Sequence, residues 1–271
     1  MSTGRTAGLR ADCTADSEGR ITFRLRPPSA ARPRLVLALR PKQGRPEEKS
    51  HTLDLEPWGD AGEFRAVLAP APRLAEGRWD AYLLRDPDAA RERLRPGLRD
   101  LRALVDGAER DRTSPVAVRV PYATKDGFLA VRTWLRTAHA EAGPLDVTGT
   151  AMTVRARLHG AELSEGAAVV LRLRGDKGTV RSFPVEPSSG RAVSRAVAWA
   201  DLAVEAAGPR FWDAFVRPAA GAPLIRIGRI LDDVADRKHV FVYPRVTAEG
   251  AALRPYFTVD NDLAVEVDAL R

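Results

Sequence analysis

The sequence has a single cysteine, Cys13, and no long apolar run. One cysteine can form neither an internal disulfide nor a cysteine-rich metal cluster, so the fold must be held by packing. No apolar stretch approaches the roughly 18–20 residues that span a bilayer, which predicts no membrane insertion. Residues 1–10 also lack the apolar core of a signal peptide, so we expect a cytoplasmic protein.

Lysine is scarce as well, at five of the 43 basic residues, although the net charge is +7. The remaining basic residues are arginines spread along the chain among 36 acidic residues. Nucleic-acid-binding segments usually concentrate their positive charge in a tail or on one helix. The pattern therefore disfavours a dedicated nucleic-acid-binding protein, while electrostatic binding of a polyanion stays open as an alternative.

The length of 271 residues predicts two domains of ordinary size. Comparison of the chain with itself supports this, because four segments recur in the same order: Ile21–Arg24 as Met152–Arg155, Leu35–Arg40 as Val169–Arg174, Trp79–Ala81 as Trp212–Ala214, and Pro121–Val131 as Pro255–Val265. Four matches in order indicate duplication of a unit of about 125–130 residues. We place repeat 1 at residues 8–136 and repeat 2 at 145–271, with a linker around 136–145 that contains Gly143-Pro144.

Apolar and polar residues alternate within each repeat, as in Ile21–Arg26 and Leu263–Val267. A period of two is typical of strands with one buried face, and turn residues separate the runs at short intervals. The sequence predicts an all-β protein made of two tandem immunoglobulin-like antiparallel β-sandwiches.

One segment has a helical pattern instead. Residues 88–94 and 98–105 carry apolar residues at spacings of three and four. The counterpart of this region, Ala222–Leu231, is rich in β-branched residues and has an internal glycine. We therefore predict a strand at 98–105 and a helical turn only at 88–94.

Residues with catalytic or metal-binding potential form no recognisable motif. There is no P-loop, nucleophile elbow or zinc-protease motif, and the four histidines lack ligand spacing. Two Asp-x-Asp triplets, Asp86–Asp88 and Asp260–Asp262, match a spacing that nucleotide-sugar glycosyltransferases use to hold a metal, but both fit turns. We predict no cofactor, no metal site and no enzymatic activity. An enzyme would instead require the four aspartates to converge on one metal-sized site.

The repeated tryptophans, Trp79 and Trp212, allow two interpretations. They could be sugar-stacking platforms, but their recurrence among structural matches favours core positions.

Arginines at spacing i, i+2 on strands form the most informative surface feature, because each pair lies on one side of its strand. They are the candidate ligand- or partner-binding residues, for an anionic glycan or an acidic protein surface: Arg24, Arg26, Arg155, Arg157, Arg172 and Arg174.

Three motifs in both repeats point to a family. They are Trp-Asp-x-Tyr/Phe-Leu/Val at 79–83 and 212–216, Leu/Ile-x-x-Leu/Ile-Leu/Val-Asp at 101–106 and 227–232, and Pro-Tyr-x-Thr-x-Asp at 121–126 and 255–260. The chain resembles the β-sandwich accessory regions that follow the catalytic domain in actinobacterial cell-wall polymer glycosyltransferases and glycerophosphotransferases of the teichoic-acid type. The resemblance implies tandem immunoglobulin-like domains that serve oligomerisation or polymer binding. It transfers no catalytic residue, and the glycosyltransferase domain is missing from this sequence.

These observations predict a non-catalytic accessory module that binds a protein partner or a glycan near cell-envelope polymer synthesis. A subunit of a glycosyltransferase-type enzyme and an electrostatic binder of polyanions or nucleic acid are the alternatives. Homo-oligomerisation is left open.

Overall fold

The computed structural model describes residues 8–28, 32–41, 45–59, 62–176, 178–185, 190–203 and 208–270. Most of the N-terminal segment considered above, residues 1–7, lies outside this description. The chain divides into two compact units. Unit 1 comprises Met1–Arg110, Ala117–Leu135 and Leu231–Ala235, and unit 2 comprises Asp111–Val116, Arg136–Ile230 and Asp236–Arg271.

Within the described residues, unit 1 contains eleven strands and one short helix, apart from the strand-end residues Val116 and Arg136, which group with unit 2. They are β1 (Arg10–Ala15), β2 (Ile21–Leu25), β3 (Arg34–Leu39), β4 (Ser50–Asp54), β5 (Glu56–Pro57), β6 (Phe64–Leu68), β7 (Gly77–Leu84), β8 (Glu92–Arg93), β9 (Arg95–Asp100), α1 (Arg102–Asp106), β10 (Val116–Ala123) and β11 (Leu129–Arg136). One sheet has the order β5-β6-β2-β1-β9, and the other has the order β10-β11-β7-β3-β4 with β8 added to β7. Strands β1 and β9 run parallel.

Unit 2 contributes a further eleven strands within its described part. They are β12 (His139–Ala142), β13 (Asp146–Val147), β14 (Ala151–His159), β15 (Ala168–Leu173), β16 (Val180–Pro184), β17 (Ala192–Ala198), β18 (Arg210–Arg217), β19 (Ile225–Gly228), β20 (Val246–Ala248), β21 (Ala251–Phe257) and β22 (Leu263–Ala269). A 3-10 turn at Trp199–Asp201 follows β17. The structure confirms the all-β class.

Most strand pairings correspond in the two units, although β19 of unit 2 pairs with both β12 and β18 and so joins eleven strands into one continuous sheet. In unit 2, β12 pairs antiparallel with β14 and parallel with β19, as β1 pairs with β2 and β9 in unit 1. Strand β18 lies between β15 and β22 as β7 lies between β3 and β11. The immunoglobulin-like description and the origin by duplication stay predictions.

The alternation of buried and exposed residues along each strand explains which side chains form the core. On β2, Ile21, Phe23 and Leu25 are buried, whereas Arg24 is exposed. On β14 the even-numbered residues from Met152 to Leu158 join a core that also contains the buried residues of β15, β18 and β22. The side chains at the odd-numbered positions of β14 point away from this core because successive strand residues face opposite sides.

The prediction for 88–105 was partly wrong. Residues 95–100 form β9 as a strand, but 102–106 form the helix α1. The segment 88–94 contains no helical turn; a turn closes between Asp86 and Ala89, and β8 follows. Local helix propensity prevails after Asp100, where the chain leaves the sheet and pairs with no strand.

Residues 139–142, within the segment that the sequence analysis treats as a linker, form β12. This strand pairs with β14 and β19, so it belongs to the sheet of unit 2.

Candidate functional site

The six predicted arginines occupy three strand faces. Arg24 lies on β2 opposite Asp12 of β1 and Arg65 of β6, and Arg26 follows the end of the strand. Both side chains are exposed. Within the described part of the chain, neither makes an ion pair.

Arg155 and Arg157 lie on β14 and are engaged by acidic residues. Arg155 pairs with Asp146 at 2.7 Å, and Arg157 pairs with Asp111 at 2.7 Å. The hydrogen bond from Arg157 lowers the pKa of Asp111. Because these side chains are about half exposed, such pairs contribute on the order of 0–1 kcal/mol to stability.

Arg172 and Arg174 lie at β15 and just after it, in the part of the unit 2 sheet formed by β15, β16, β18 and β22. The core lies between β14 and β15, and both arginine pairs point away from it. The two pairs therefore lie on opposite faces of unit 2. The single continuous arginine face expected of an electrostatic polyanion binder does not form within this unit.

Of the three strand faces, the one that carries Arg172 also holds an aspartate, an aromatic ring and another arginine on adjacent strands. In the β15–β18 register, Arg172 lies opposite Asp213, and in the β18–β19 register Phe215 lies opposite Arg226. We call Arg172, Arg174, Asp213, Phe215 and Arg226 the Asp213 face.

Phe215 is only 4% exposed although it points away from the main core, and it packs with Ala168 and Val170 in a separate small cluster. The guanidinium groups of Arg172 and Arg226 lie 4.9 Å and 5.2 Å from its ring centroid. These distances permit cation–π attraction, and the arginine stems cover apolar surface. The outer layer of this face therefore presents guanidinium groups over a hidden aromatic ring.

Asp213 sits recessed in this layer, at 8% exposure. Arg174 pairs with it through two nitrogens, and this pairing raises the pKa of Arg174. Arg174 also lies 5.4 Å over Phe211. The aspartate holds one arginine, Arg174, in place. Arg172 makes no ion pair within the described residues, so no carboxylate there neutralises its charge.

A second polar arrangement, which the sequence analysis missed, crosses unit 2 beside this face. Arg226 lies 3.5 Å from Asp262, Arg136 pairs with Asp262 at 2.9 Å, and the Nδ1 atom of His139 lies 3.4 Å from Arg136. His139 Nε2 lies 2.8 Å from Glu141, whose carboxylate accepts the backbone N–H of Ile230 at 2.9 Å. Burial raises the pKa of Asp262, and the two arginines oppose that shift.

His159 lies directly opposite His139 in the β12–β14 register and is 1% exposed. Its Nδ1 accepts the backbone N–H of Arg112 at 3.3 Å, which requires the neutral ring with its proton on Nε2. Burial, assisted by the neighbouring His139, lowers the pKa of His159 to about 4. The spacing of the histidines in the sequence could not reveal this pair, because the two residues meet only through the pairing register of β12 and β14.

This histidine predicts a loss of stability in mild acid. The unfolded chain binds a proton at the ordinary pKa of 6.5, whereas folded His159 resists it until about 4. Stability therefore falls as pH decreases through that window, by about 3 kcal/mol in all. Urea unfolding at pH 7 and pH 4 should show this loss in the wild type and in the exposed-residue control His239→Gln, but not in His159→Gln.

His51, whose pKa burial also lowers, adds a contribution of the same sign to all three proteins. Equal pH dependence in His159→Gln and the wild type would contradict the assignment to His159.

The Asp-x-Asp triplets belong to turns, as predicted. Asp86 accepts the backbone N–H of Ala89, and Thr258 exchanges backbone hydrogen bonds with Asn261 and Asp262 around Asp260. Among the described residues, no three His, Cys, Asp or Glu side chains gather where they could hold a metal ion.

The repeated tryptophans are core residues, as favoured above. Trp79 is 3% exposed and donates its indole N–H to the carbonyl of Ala75, and Trp212 is fully buried and donates to Leu202. A sugar ring cannot stack on a buried face, which excludes the platform interpretation in this conformation.

Cys13 is buried too, and burial raises its pKa to about 12, so its thiol is not a nucleophile at neutral pH.

In the described residues, no helix has the length and apolarity needed to cross a bilayer.

Comparison with known proteins yields partial similarities. No protein-family model and no curated protein matches the chain. A crystal structure of S. aureus TarS matches 70% of this chain and 35% of its own length, at 16% identity and a TM-score of 0.29. A crystal structure of S. aureus TarS 217-571 matches 71% of this chain and 56% of its own, at 15% identity and a TM-score of 0.29. The chain thus spans less than two thirds of either structure, and similarity at this level assigns no function.

Proposed function

We propose that this chain is a non-catalytic, cytoplasmic binding module that holds an anionic glycan polymer near cell-envelope polymer synthesis. The observation that carries the proposal is the Asp213 face, where Arg172 and Arg226 flank the covered ring of Phe215. Guanidinium groups ordered by stacking lose little side-chain entropy on binding an anion, and they match phosphate and carboxylate geometry.

An acidic protein surface would be recognised by the same groups and is the second partner class. A repetitive polymer is favoured because charge on this face is distributed along three adjacent strands and no apolar anchor is exposed among its five residues. No observation favours the alternative of an enzyme subunit, because the Asp-x-Asp triplets recruit no further metal-binding side chain among the described residues.

Removal of charge from this face tests the proposal. The double variant Arg172→Gln/Arg226→Gln should bind fluorescently labelled long-chain polyphosphate about tenfold more weakly than the wild type in an anisotropy titration. The slope of log affinity against log salt should fall by about 2, since two cations no longer release counterions.

Arg195→Gln is the matched control, because Arg195 is an exposed arginine on β17, which pairs with β14 and not with a strand of the Asp213 face. It should bind like the wild type. Equal affinity of the double variant and the wild type would refute the proposed function.

A further inference from the structure

The pairing registers place a second face of the same kind in unit 1. Trp212-Asp213-Ala214 of β18 corresponds to Trp79-Asp80-Ala81 of β7, and Phe215 corresponds to Tyr82. In the β7–β8 register Tyr82 lies opposite Arg93, as Phe215 lies opposite Arg226 in unit 2. Each unit thus carries an aspartate, an aromatic residue two positions later and an arginine across from that aromatic.

The contacts of the two arginines also correspond. The guanidinium of Arg93 lies 3.9 Å over the ring of Phe128, and Arg226 pairs with Asp262. Phe128 and Asp262 occupy the same position of the repeat, directly before Leu-Ala-Val. The arginine therefore reaches the same place in both units and is held there by stacking in one and by charge in the other.

Asp80 organises this second face as Asp213 organises the first. Asp80 is 8% exposed, accepts a hydrogen bond of 2.6 Å from Arg78 Nε and lies 3.6 Å from Arg93 Nη2. On the adjacent strand β11, Arg132 lies directly opposite Arg78. We call Arg78, Asp80, Tyr82, Arg93 and Arg132 the Asp80 face.

The Asp80 face was not among the residues predicted from the sequence. Arg78 and Arg93 both lie within ion-pair distance of its single carboxylate, and Arg132 lies across from Arg78. Two guanidinium groups drawn to one carboxylate leave a local excess of positive charge, which attracts an anionic ligand.

The ligand class follows from what the arginines cover. Proteins that bind single-stranded nucleic acid without sequence preference stack bases on open aromatic rings. Here Arg93 lies over Phe128, while Arg172 and Arg226 lie over Phe215. The rings of Phe128 and Phe215 are therefore covered, and the guanidinium donors above them are the groups left for recognition, which suit phosphate.

We infer that each unit carries one phosphate-binding site, on the Asp80 face and the Asp213 face, and that together they bind a base-free polymer with a phosphate in every repeat. This inference rests on the proposed function and extends it to a second, equivalent site. Two sites on one chain raise the overall affinity for a long repetitive ligand that engages both of them. A short oligomer occupies one site at a time and gains no such avidity.

The test is isothermal titration calorimetry of the full chain with tripolyphosphate, a probe of one site at a time. The wild type and the control Arg195→Gln should bind two tripolyphosphates, and Arg93→Gln and Arg226→Gln should each bind one. The double variant Arg93→Gln/Arg226→Gln should bind none. With long-chain polyphosphate, each single variant should lose up to about tenfold in affinity, because only one intact site remains.

Thermal melts establish that each variant is folded, and Arg132→Gln replaces Arg93→Gln if the latter does not fold. A stoichiometry of one that neither Arg93→Gln nor Arg132→Gln changes, but that Arg226→Gln abolishes, would overturn the second site and leave the proposed function intact. Binding unaffected by every variant would refute both. Tighter binding of oligodeoxythymidylate than of polyphosphate with equal charge would overturn the assignment to a base-free polymer.

Discussion

Replacement of Trp212 by alanine should lower the free energy of unfolding by about 3–5 kcal/mol. The side chain is fully buried in the core of unit 2, where its indole N–H bonds the carbonyl of Leu202 at 3.0 Å. The variant leaves a large cavity and an unsatisfied carbonyl, and the surrounding strands are held by their ladders and cannot collapse to fill it. Urea unfolding followed by circular dichroism measures the loss.

Trp58→Ala is the matched control, because that ring is 44% exposed and touches Arg65 at the surface. Its cost should be about 1 kcal/mol or less. If Trp212→Ala retained wild-type stability and lost affinity for a soluble glycan, Trp212 would be a binding platform and its assignment to the core would be wrong.

Replacement of Arg136 by methionine should also cost about 3–5 kcal/mol at pH 7. Arg136 and Asp262 are 10% and 8% exposed, and the substitution leaves the carboxylate of Asp262 buried with Arg226 at 3.5 Å as its remaining cation. Arg155→Met is the control, since it breaks the Arg155–Asp146 pair, whose side chains are 43% and 56% exposed. That surface pair should cost about 1 kcal/mol or less.

The pH dependence of this variant distinguishes charge from packing. Burial raises the pKa of Asp262, and Arg136 opposes the rise, so the pKa climbs further in the variant. A carboxyl with a raised folded pKa destabilises the protein fully above that pKa, and the penalty disappears as the pH falls to the unfolded pKa of 3.8. The difference in stability between Arg136→Met and the wild type should therefore shrink from pH 7 to about pH 4, and the effect of His159 cancels in that difference. A pH-independent difference would show that Arg136 stabilises by packing alone.

The sequence predicted the features that depend on local patterning. Alternation in runs such as Ile21–Arg26 predicted strands, because a sheet with one buried face imposes a period of two. Recurrence of Trp-Asp-Ala placed Trp79 and Trp212 in the core, and both are buried there. The exception is α1 at residues 102–106, where comparison with the other repeat suppressed a correct local helical signal.

The polar arrangements could not be predicted in the same way, because they join residues that are distant in the chain. Arg136 and Asp262 form an ion pair although they are far apart in the chain, and the His139–His159 contact exists only through the β12–β14 register. A single sequence contains neither pairing.

The sequence by itself therefore determined the all-β class and the buried tryptophans of this protein, since these follow from which residues must leave water. Only the tertiary structure decided which charges act together. It separated Arg155 from Arg172 on opposite faces of unit 2, and it brought Arg78 and Arg93 to Asp80. Burial is encoded residue by residue along a strand, whereas electrostatic interaction depends on distances that only strand register and sheet packing establish.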